Sequence, residues 1–239
     1  MSEAPKIGIV TAMPTEVWPL VRRWRRVVRQ HESRSFAFFE NDQAVVLAGG
    51  IGHAAGTRAA EAMISCYKPG LIVAAGLAGG LRPDWAPPRT MIAACVIDEE
   101  TGREFTTMHG NGTVVSSRTI AGALKKRELA ERFSADIVDM EGAAVAEVAA
   151  KHGLPFLAVK AISDELDFDL PPLQDFVDGD GNFQTARFTM NAAFRPQWWP
   201  MIAGLKRRTD AAAKQLAELL KRVIREHVQT HVPLTELVS

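Results

Sequence analysis

Three short runs, Ile7 to Ala12, Leu71 to Ala75 and Phe156 to Ile162, are apolar almost without interruption. A strand with one face in water alternates polar and apolar residues. Strands that are apolar throughout need cover on both faces, which a largely parallel sheet between two helical layers provides. Helical segments fall between these runs. The first run ends at Pro14-Thr15-Glu16, a strand feeding a helix whose first turn carries proline. Ala54 to Tyr67 is alanine-rich and helical, and Gly142 to His152 is a helix closed by Gly153. Thr209 to Val228 sets Leu216, Leu219, Leu220, Val223, Ile224 and Val228 on one helical face. Phe36 to Phe39 and Ala44 to Ala48 flank Asn41-Asp42 as a hairpin, while Met91 to Ile97 and Thr113 to Ser116 read as further strands. The expected fold is α/β: a three-layer α/β/α sandwich around a central twisted mixed sheet.

The 239 residues carry no internal repeat and no linker-like stretch, so a single domain over 1–239 is expected. Its texture changes from about residue 165, first acidic and proline-bearing, then aromatic, then a basic helix. The 28 basic residues balance 28 acidic ones, which leaves no basic field to release counterions, and no nucleic-acid partner is expected. Cys66 and Cys95 sit in apolar surroundings and read as buried free thiols rather than a disulfide or metal framework. Met1 to Lys6 lack the charged start and apolar middle of a secretory signal. Apolar stretches such as Gly70 to Gly80 fall short of the roughly 18 to 20 residues that span a bilayer. The expectation is a soluble, cytoplasmic protein.

Four local patterns have bland explanations. Gly50-Ile51-Gly52-His53-Ala54-Ala55 half-matches a dinucleotide fingerprint, but no acidic residue lies about 20 positions on to hold a ribose. Asp178-Gly179-Asp180-Gly181-Asn182 resembles the start of a calcium loop, yet Phe183 stands where glycine is required and Thr189 where the bidentate Glu belongs, so it reads as a polar turn. The six histidines are scattered, and neither a metal nor a cofactor is expected; only His53, beside a glycine turn, is placed to face a pocket. Arg22, Arg23, Arg25, Arg26 and Arg29 read as a solvated helix face.

The remaining features converge. In open sheets ligands bind outside the carboxyl ends of the strands. Glu16 follows the first apolar run, Gly76 to Gly80 the second and Ser163-Asp164 the third, while Met140-Glu141 opens a helix. Three carboxylates then ring one crevice. A helix N-terminus stabilises Glu141 as an anion, and Glu16 and Asp164 are placed for proton transfer.

Ile7-Gly-Ile-Val-Thr-Ala-Met13 with Glu16, Gly49-Gly-Ile-Gly52, Ala75-Gly-Leu-Ala-Gly-Gly80, Val138-Asp-Met-Glu141 and Ala161-Ile-Ser-Asp164 together resemble the purine nucleoside phosphorylase and nucleosidase superfamily. The closer likeness is to bacterial nucleosidases that cleave methylthioadenosine and adenosylhomocysteine, in order from residue 6 to about 165. Beyond that point Leu166-Asp-Phe-Asp-Leu-Pro-Pro172, Asp180-Gly181, Phe188, Arg195-Pro196 and Trp198-Trp199 look more like the hopanoid-associated branch, connected with removing adenine from adenosylhopane. Breaking an N-ribosidic bond develops positive charge on the sugar and negative charge on the purine. The resemblance implies that Asp164 delivers a proton toward purine N7, with Ser163 orienting it. It implies that Glu141 accepts hydrogen bonds from the ribose 2′- and 3′-hydroxyls, that Met140 packs on the sugar and that Glu16 activates water. The purine is expected on the loop around Arg118, Thr119 and Ile120, held partly by main-chain groups. Gly76, Leu77 and Lys160 complete the implied substrate-binding set.

Hydrolysis and phosphorolysis differ in the nucleophile. Phosphorylases of this superfamily carry a Gly-Arg element after the first strand, an Arg before the glycine cluster and Ser or Thr inside it. Here Met13-Pro14-Thr15, Ala74 and Leu77 stand at those positions, which leaves a phosphate dianion without partners. A nucleosidase is therefore expected ahead of a phosphorylase or a non-catalytic adenosine binder. The nucleosidases have Arg where Lys160 stands and a small polar residue where Leu77 stands. Phe168, Phe176, Phe183, Phe188, Phe194, Trp198 and Trp199 suit a large apolar 5′ substituent or core and subunit contacts. Trp198 and Trp199, near Arg195 and Lys206-Arg207-Arg208, read as a patch for peripheral contact with the inner membrane face. A homo-oligomer, specifically a dimer, is the family expectation.

Overall fold

The computed structural model describes residues 5–168, 173–193, 195 and 198–231. The apolar runs form neighbouring parallel strands. β1 (Ile7–Thr11) and β11 (Phe156–Asp164) are buried at every residue, and β4 (Ala44–Ala48) and β5 (Leu71–Gly80) nearly so. β1 pairs in parallel with β4 and β5, and β11 runs parallel to β5. The other strands are β2 (Arg25–His31), β3 (Arg34–Glu40), β6 (Thr90–Ile92), β7 (Cys95–Asp98), β8 (Glu104–Thr106), β9 (Thr113–Ser116) and β10 (Ile137–Asp139). They complete an 11-stranded mixed sheet ordered β2-β3-β4-β1-β5-β10-β9-β7-β8, with β11 between β5 and β6.

Helices cover both faces. On one, α1 (Pro14–Val21) and α6 (Trp199–His231) bury Val17, Val21, Leu216, Leu220 and Val223 against Ile9, Val73 and Val159. On the other, α2 (His53–Tyr67) and α4 (Gly142–Lys151) bury Ala59, Met63, Val145 and Ala149 against Val10, Ile72 and Ala158. The small residues here let the two helices touch: a Cβ on Gly56 would lie 3.3 Å from the Cβ atoms of Ala144 and Glu141. A third helix, α3 (Ala123–Phe133), packs Leu129 over Leu81 and Val138. A 3-10 turn (Leu173–Phe176) and α5 (Thr185–Ala193) lie between β11 and α6. The expected three-layer α/β/α arrangement is the one observed, including the hairpin of β3 and β4.

Several expected elements differ in detail. The arginine run is not a helix face. α1 stops at Val21 and Arg25–His31 forms the sheet edge, paired with β3 alone, so its arginines are solvated on a strand. Charged side chains on an edge discourage pairing with another chain, and they mask strand character in the sequence. The Gly76–Gly80 cluster is the second half of β5, and β11 pairs along it to Gly79 across a bulge between Ile162 and Asp164. These glycines give space rather than a turn: a Cβ on Gly80 would meet the Trp85 carbonyl oxygen at 2.4 Å. Met91 to Ile97 divides into β6, which pairs with β11, and β7, which pairs with β8 and β9. The C-terminal helix begins at Trp199, ten residues before the expected Thr209. Cys66 and Cys95 are free but only half-buried. Asp178–Asn182 is the polar turn expected, with Asp178 Oδ1 accepting from the N–H groups of Asp180 and Asn182. Phe194 and the Asp169–Pro172 stretch lie outside the described residues.

Candidate active site

A cavity of about 430 Å³ opens at the carboxyl ends of β1, β5 and β11. Glu16 reaches it from the third position of α1 and is buried. One carboxylate oxygen accepts from Thr11 Oγ1 and from the N–H groups of Ala12 (3.1 Å) and Met13 (2.9 Å), and the other from Leu77 N–H (3.2 Å). The bond from Met13, the residue that caps the helix, is half of a capping box. Gly76, at φ +156°, lies against this carboxylate, and a Cβ there would make ordinary contact with its two oxygens at 3.4 and 3.5 Å.

Glu141 caps α4 and receives the Gly52 N–H at 2.6 Å. Gly52 sits at φ +93°, a conformation that side-chain-bearing residues rarely adopt. Glu141 lines the cavity and is half-buried. Burial and the nearby Asp139 carboxylate push its pKa up to about 8, against the pull of the Lys160 ammonium and the Gly52 N–H. Burial and Asp139 thus oppose the helix terminus expected to hold Glu141 as an anion.

Asp164 closes β11. Its Oδ1 accepts from Ser163 Oγ at 2.6 Å and its Oδ2 from Lys126 Nζ, whose ammonium also donates to the Glu165 carbonyl at 2.6 Å. Lys126, on α3, is 1% exposed, like Lys160. Lys160 Nζ lies 2.5 Å from Asp139 Oδ2. Burial opposes its charge, but the Asp139 and Glu141 carboxylates override it and raise the pKa.

The sequence-derived set is largely brought together. Glu16, Leu77, Thr119, Ile120, Met140, Glu141, Ser163 and Asp164 line the cavity, whereas Gly76 and Lys160 stand behind the lining. The Ile120 N–H, expected to hold purine, donates to Gln174 Oε1 at 3.0 Å. Arg118 pairs with Asp98 and Glu100, outside the lining. His53 does not line the cavity as expected; its Nδ1 lies 3.9 Å from Asp98 without a hydrogen bond, and burial with the nearby Arg118 charge lowers its pKa.

Sequence reasoning missed Lys126 and much of the far wall. Phe183, Phe188, Ile202 and Leu205 form an apolar flank there, with Lys206, Thr209 and Asp210 beside it. Phe188 meets Phe176 edge-on at 5.3 Å and Phe183 at 5.5 Å. Trp199 is 57% exposed, and the Arg195 guanidinium stacks 4.4 Å from the Trp198 ring. Among the described residues no three of His, Cys, Asp and Glu group as a metal site, and no helix is long and apolar enough to cross a membrane.

The family model of the phosphorylase superfamily matches residues 6–117 and 106–194. The chain belongs to that superfamily. Two curated relatives are an aminodeoxyfutalosine nucleosidase of Campylobacter jejuni, 25% identical over 69% of this chain and 90% of its own, and a 5′-methylthioadenosine/S-adenosylhomocysteine nucleosidase of Marinomonas, 26% identical over 66% and 85%. Both are named as nucleosidases and support an N-ribosyl hydrolase. Among solved structures, the Helicobacter pylori 5′-methylthioadenosine/S-adenosylhomocysteine nucleosidase matches with a TM-score of 0.71 at 19% identity, covering 94% of this chain and 100% of its own. The futalosine hydrolase of the same organism matches with a TM-score of 0.69 at 20% identity, covering 93% and 98%. These structures share the superfamily fold.

Proposed function

We propose that this protein is a purine nucleosidase that hydrolyses the N-ribosidic bond of a 5′-substituted adenosine and releases adenine. The observation that carries the reading is the meeting of Glu16, Glu141 and Asp164 in one cavity at the strand ends. In it Glu16, fixed by four donors, takes a proton from the attacking water. Glu141 holds the ribose hydroxyls, and Met140 and Leu77 exclude water around the sugar. A proton passes to purine N7 at Asp164 as the C1′–N9 bond breaks. Water rather than phosphate is the nucleophile: of the cavity's cations, Lys126 is bound to Asp164 and Lys206 to Asp210, and among the described residues no arginine lines it.

The apolar flank of Phe183, Phe188, Ile202 and Leu205 favours a large hydrophobic 5′ group, with adenosylhopane of hopanoid biosynthesis as the candidate. The exposed Trp199 supports contact between this end of the molecule and the lipid surface that holds such a substrate. The protein works in the cytoplasm, at the inner membrane face, as a homodimer. The test is chromatographic detection of adenine from methylthioadenosine and from a bulky 5′-alkyl adenosine, with and without phosphate. Release from both without phosphate, faster from the alkyl substrate, is expected. Release that requires phosphate makes the protein a phosphorylase, and binding without release makes it an adenosine-binding protein.

A further inference from the structure

Asp164 is the group expected to protonate the leaving purine, yet both its oxygens already receive hydrogen bonds. Ser163 Oγ donates to one and Lys126 Nζ to the other. A carboxylate engaged as an acceptor on both sides has no proton of its own to give. The serine hydroxyl is a far weaker acid than an ammonium, so the transferable proton in this cluster sits on Lys126. That lysine belongs to the cavity wall.

We propose that Lys126 supplies the proton that neutralises the departing purine, acting through Asp164; the proposal rests on the nucleosidase reading above. As the C1′–N9 bond breaks, its electron pair passes to N9 and the purine ring. An Asp164 oxygen takes a proton from the Lys126 ammonium, which becomes a neutral amine, and passes it to N7, so Asp164 ends as the carboxylate it began as. The water oxygen bonds C1′ and its proton goes to Glu16. The protein thus gains one proton at Glu16 and loses one at Lys126, and both are restored through solvent after release.

Three observations support this role over simple structural pairing. Burying an ammonium costs several kcal/mol, and this one is at a cavity rather than in the apolar core. Two of its three N–H donors go to Asp164 and to the Glu165 carbonyl. The strand beneath is cleared for it: a Cβ on Gly79 would lie 2.9 Å from Lys126 Cε and 3.1 Å from Asp164 Oδ2. The neighbouring charges are otherwise engaged. Lys125 pairs with Glu99, Arg127 with Asp167, Glu165 with Arg208 and Lys160 with Asp139.

Lys126 is a positioning residue in this scheme, and its test uses two leaving groups. Adenine needs N7 protonation to depart, whereas p-nitrophenolate leaves a p-nitrophenyl riboside unprotonated. Lys126→Met and Lys126→Gln are expected to lower kcat for adenine release from a 5′-alkyl adenosine by about 100-fold or more, with KM within about threefold, and to change the p-nitrophenyl riboside rate by less than threefold. The glutamine variant keeps donors to Asp164 and the Glu165 carbonyl and so preserves the local bonding should methionine disrupt folding. Lys126→Arg keeps the charge but holds its proton too tightly, and no rescue is expected. Equal losses on both substrates, or full adenine release by the Gln or Arg variant, overturn the role of Lys126. Failure of the wild type to release adenine removes the nucleosidase reading itself.

Discussion

Lys160 and Lys126 are each 1% exposed, and each is bound to an aspartate at a strand end. Asp139, the partner of Lys160, also accepts from Ser116 Oγ and the Gly142 N–H and fixes the start of α4, while Lys160 stays behind the cavity lining. Asp164 and Lys126 form part of the cavity wall. The same two residue types, equally buried, fix a helix start in one region and, in the proposed scheme, carry the proton relay in the other. Both aspartates line the cavity, and what separates the pairs is the lysine: Lys126 borders that space and Lys160 does not. A buried ion pair alone is weak evidence of either stability or function.

That contrast can be broken at its strongest point first. Asp164→Asn is expected to lower kcat by about 10²- to 10⁴-fold, with binding of a non-cleavable adenosine analogue within about tenfold by calorimetry. Loss of binding instead would make Asp164 a ligand-holding group. Lys160→Met strands Asp139 and is expected to cost about 3 to 5 kcal/mol, a Tm loss of roughly 10 °C by calorimetric melting. Lys126→Met leaves Asp164 with the Ser163 hydroxyl and a side chain 6% exposed, against 0% for Asp139, and is expected to lose less than half as much. Equal losses would erase the distinction.

Glu141 sharpens it by pH. Its carboxyl ionises near 4.5 in the unfolded chain but is pushed to about 8 in the folded one. The unfolded state therefore sheds this proton first, and the site weakens folding progressively from about pH 4.5 to 8, then no further. Glu141→Gln removes that penalty. Its Tm advantage over the wild type is expected to be absent near pH 4.5 and to reach about 4 °C or more above pH 8. The smallest effect is expected at the far wall. Phe188→Ala should lower kcat/KM for a bulky 5′-alkyl adenosine by about tenfold and leave methylthioadenosine unchanged. A uniform loss would assign Phe188 to packing against Phe176.

Much of this was legible in the sequence, for physical reasons. Doubly buried strands such as β1 and β11 must be apolar throughout, and ligands collect at strand ends, so Glu16, Glu141 and Asp164 announce themselves by position. The edge strand β2 was hidden because its residues are mostly exposed and charged. Lys126 was hidden for a different reason. Lys125-Lys126-Arg127 is a run of three bases with nothing local to mark one of them as buried, and only the tertiary placement of α3 sends the middle side chain inward, against Gly79 and Asp164. The residue most telling in the wall of the site therefore carries no local signal. The far wall was half legible: the aromatic content of Phe183 and Phe188 was plain, but the part played by Ile202 and Leu205 depends on α6 starting at Trp199.

Glu16 is held by one side chain and three main-chain N–H groups, those of Ala12, Met13 and Leu77. Every amino acid except proline brings such a group, whatever side chain it carries. The leucine side chain at 77 is therefore silent in this cradle. The cradle around Glu16 tolerates wide side-chain change at 12, 13 and 77, provided proline is kept out.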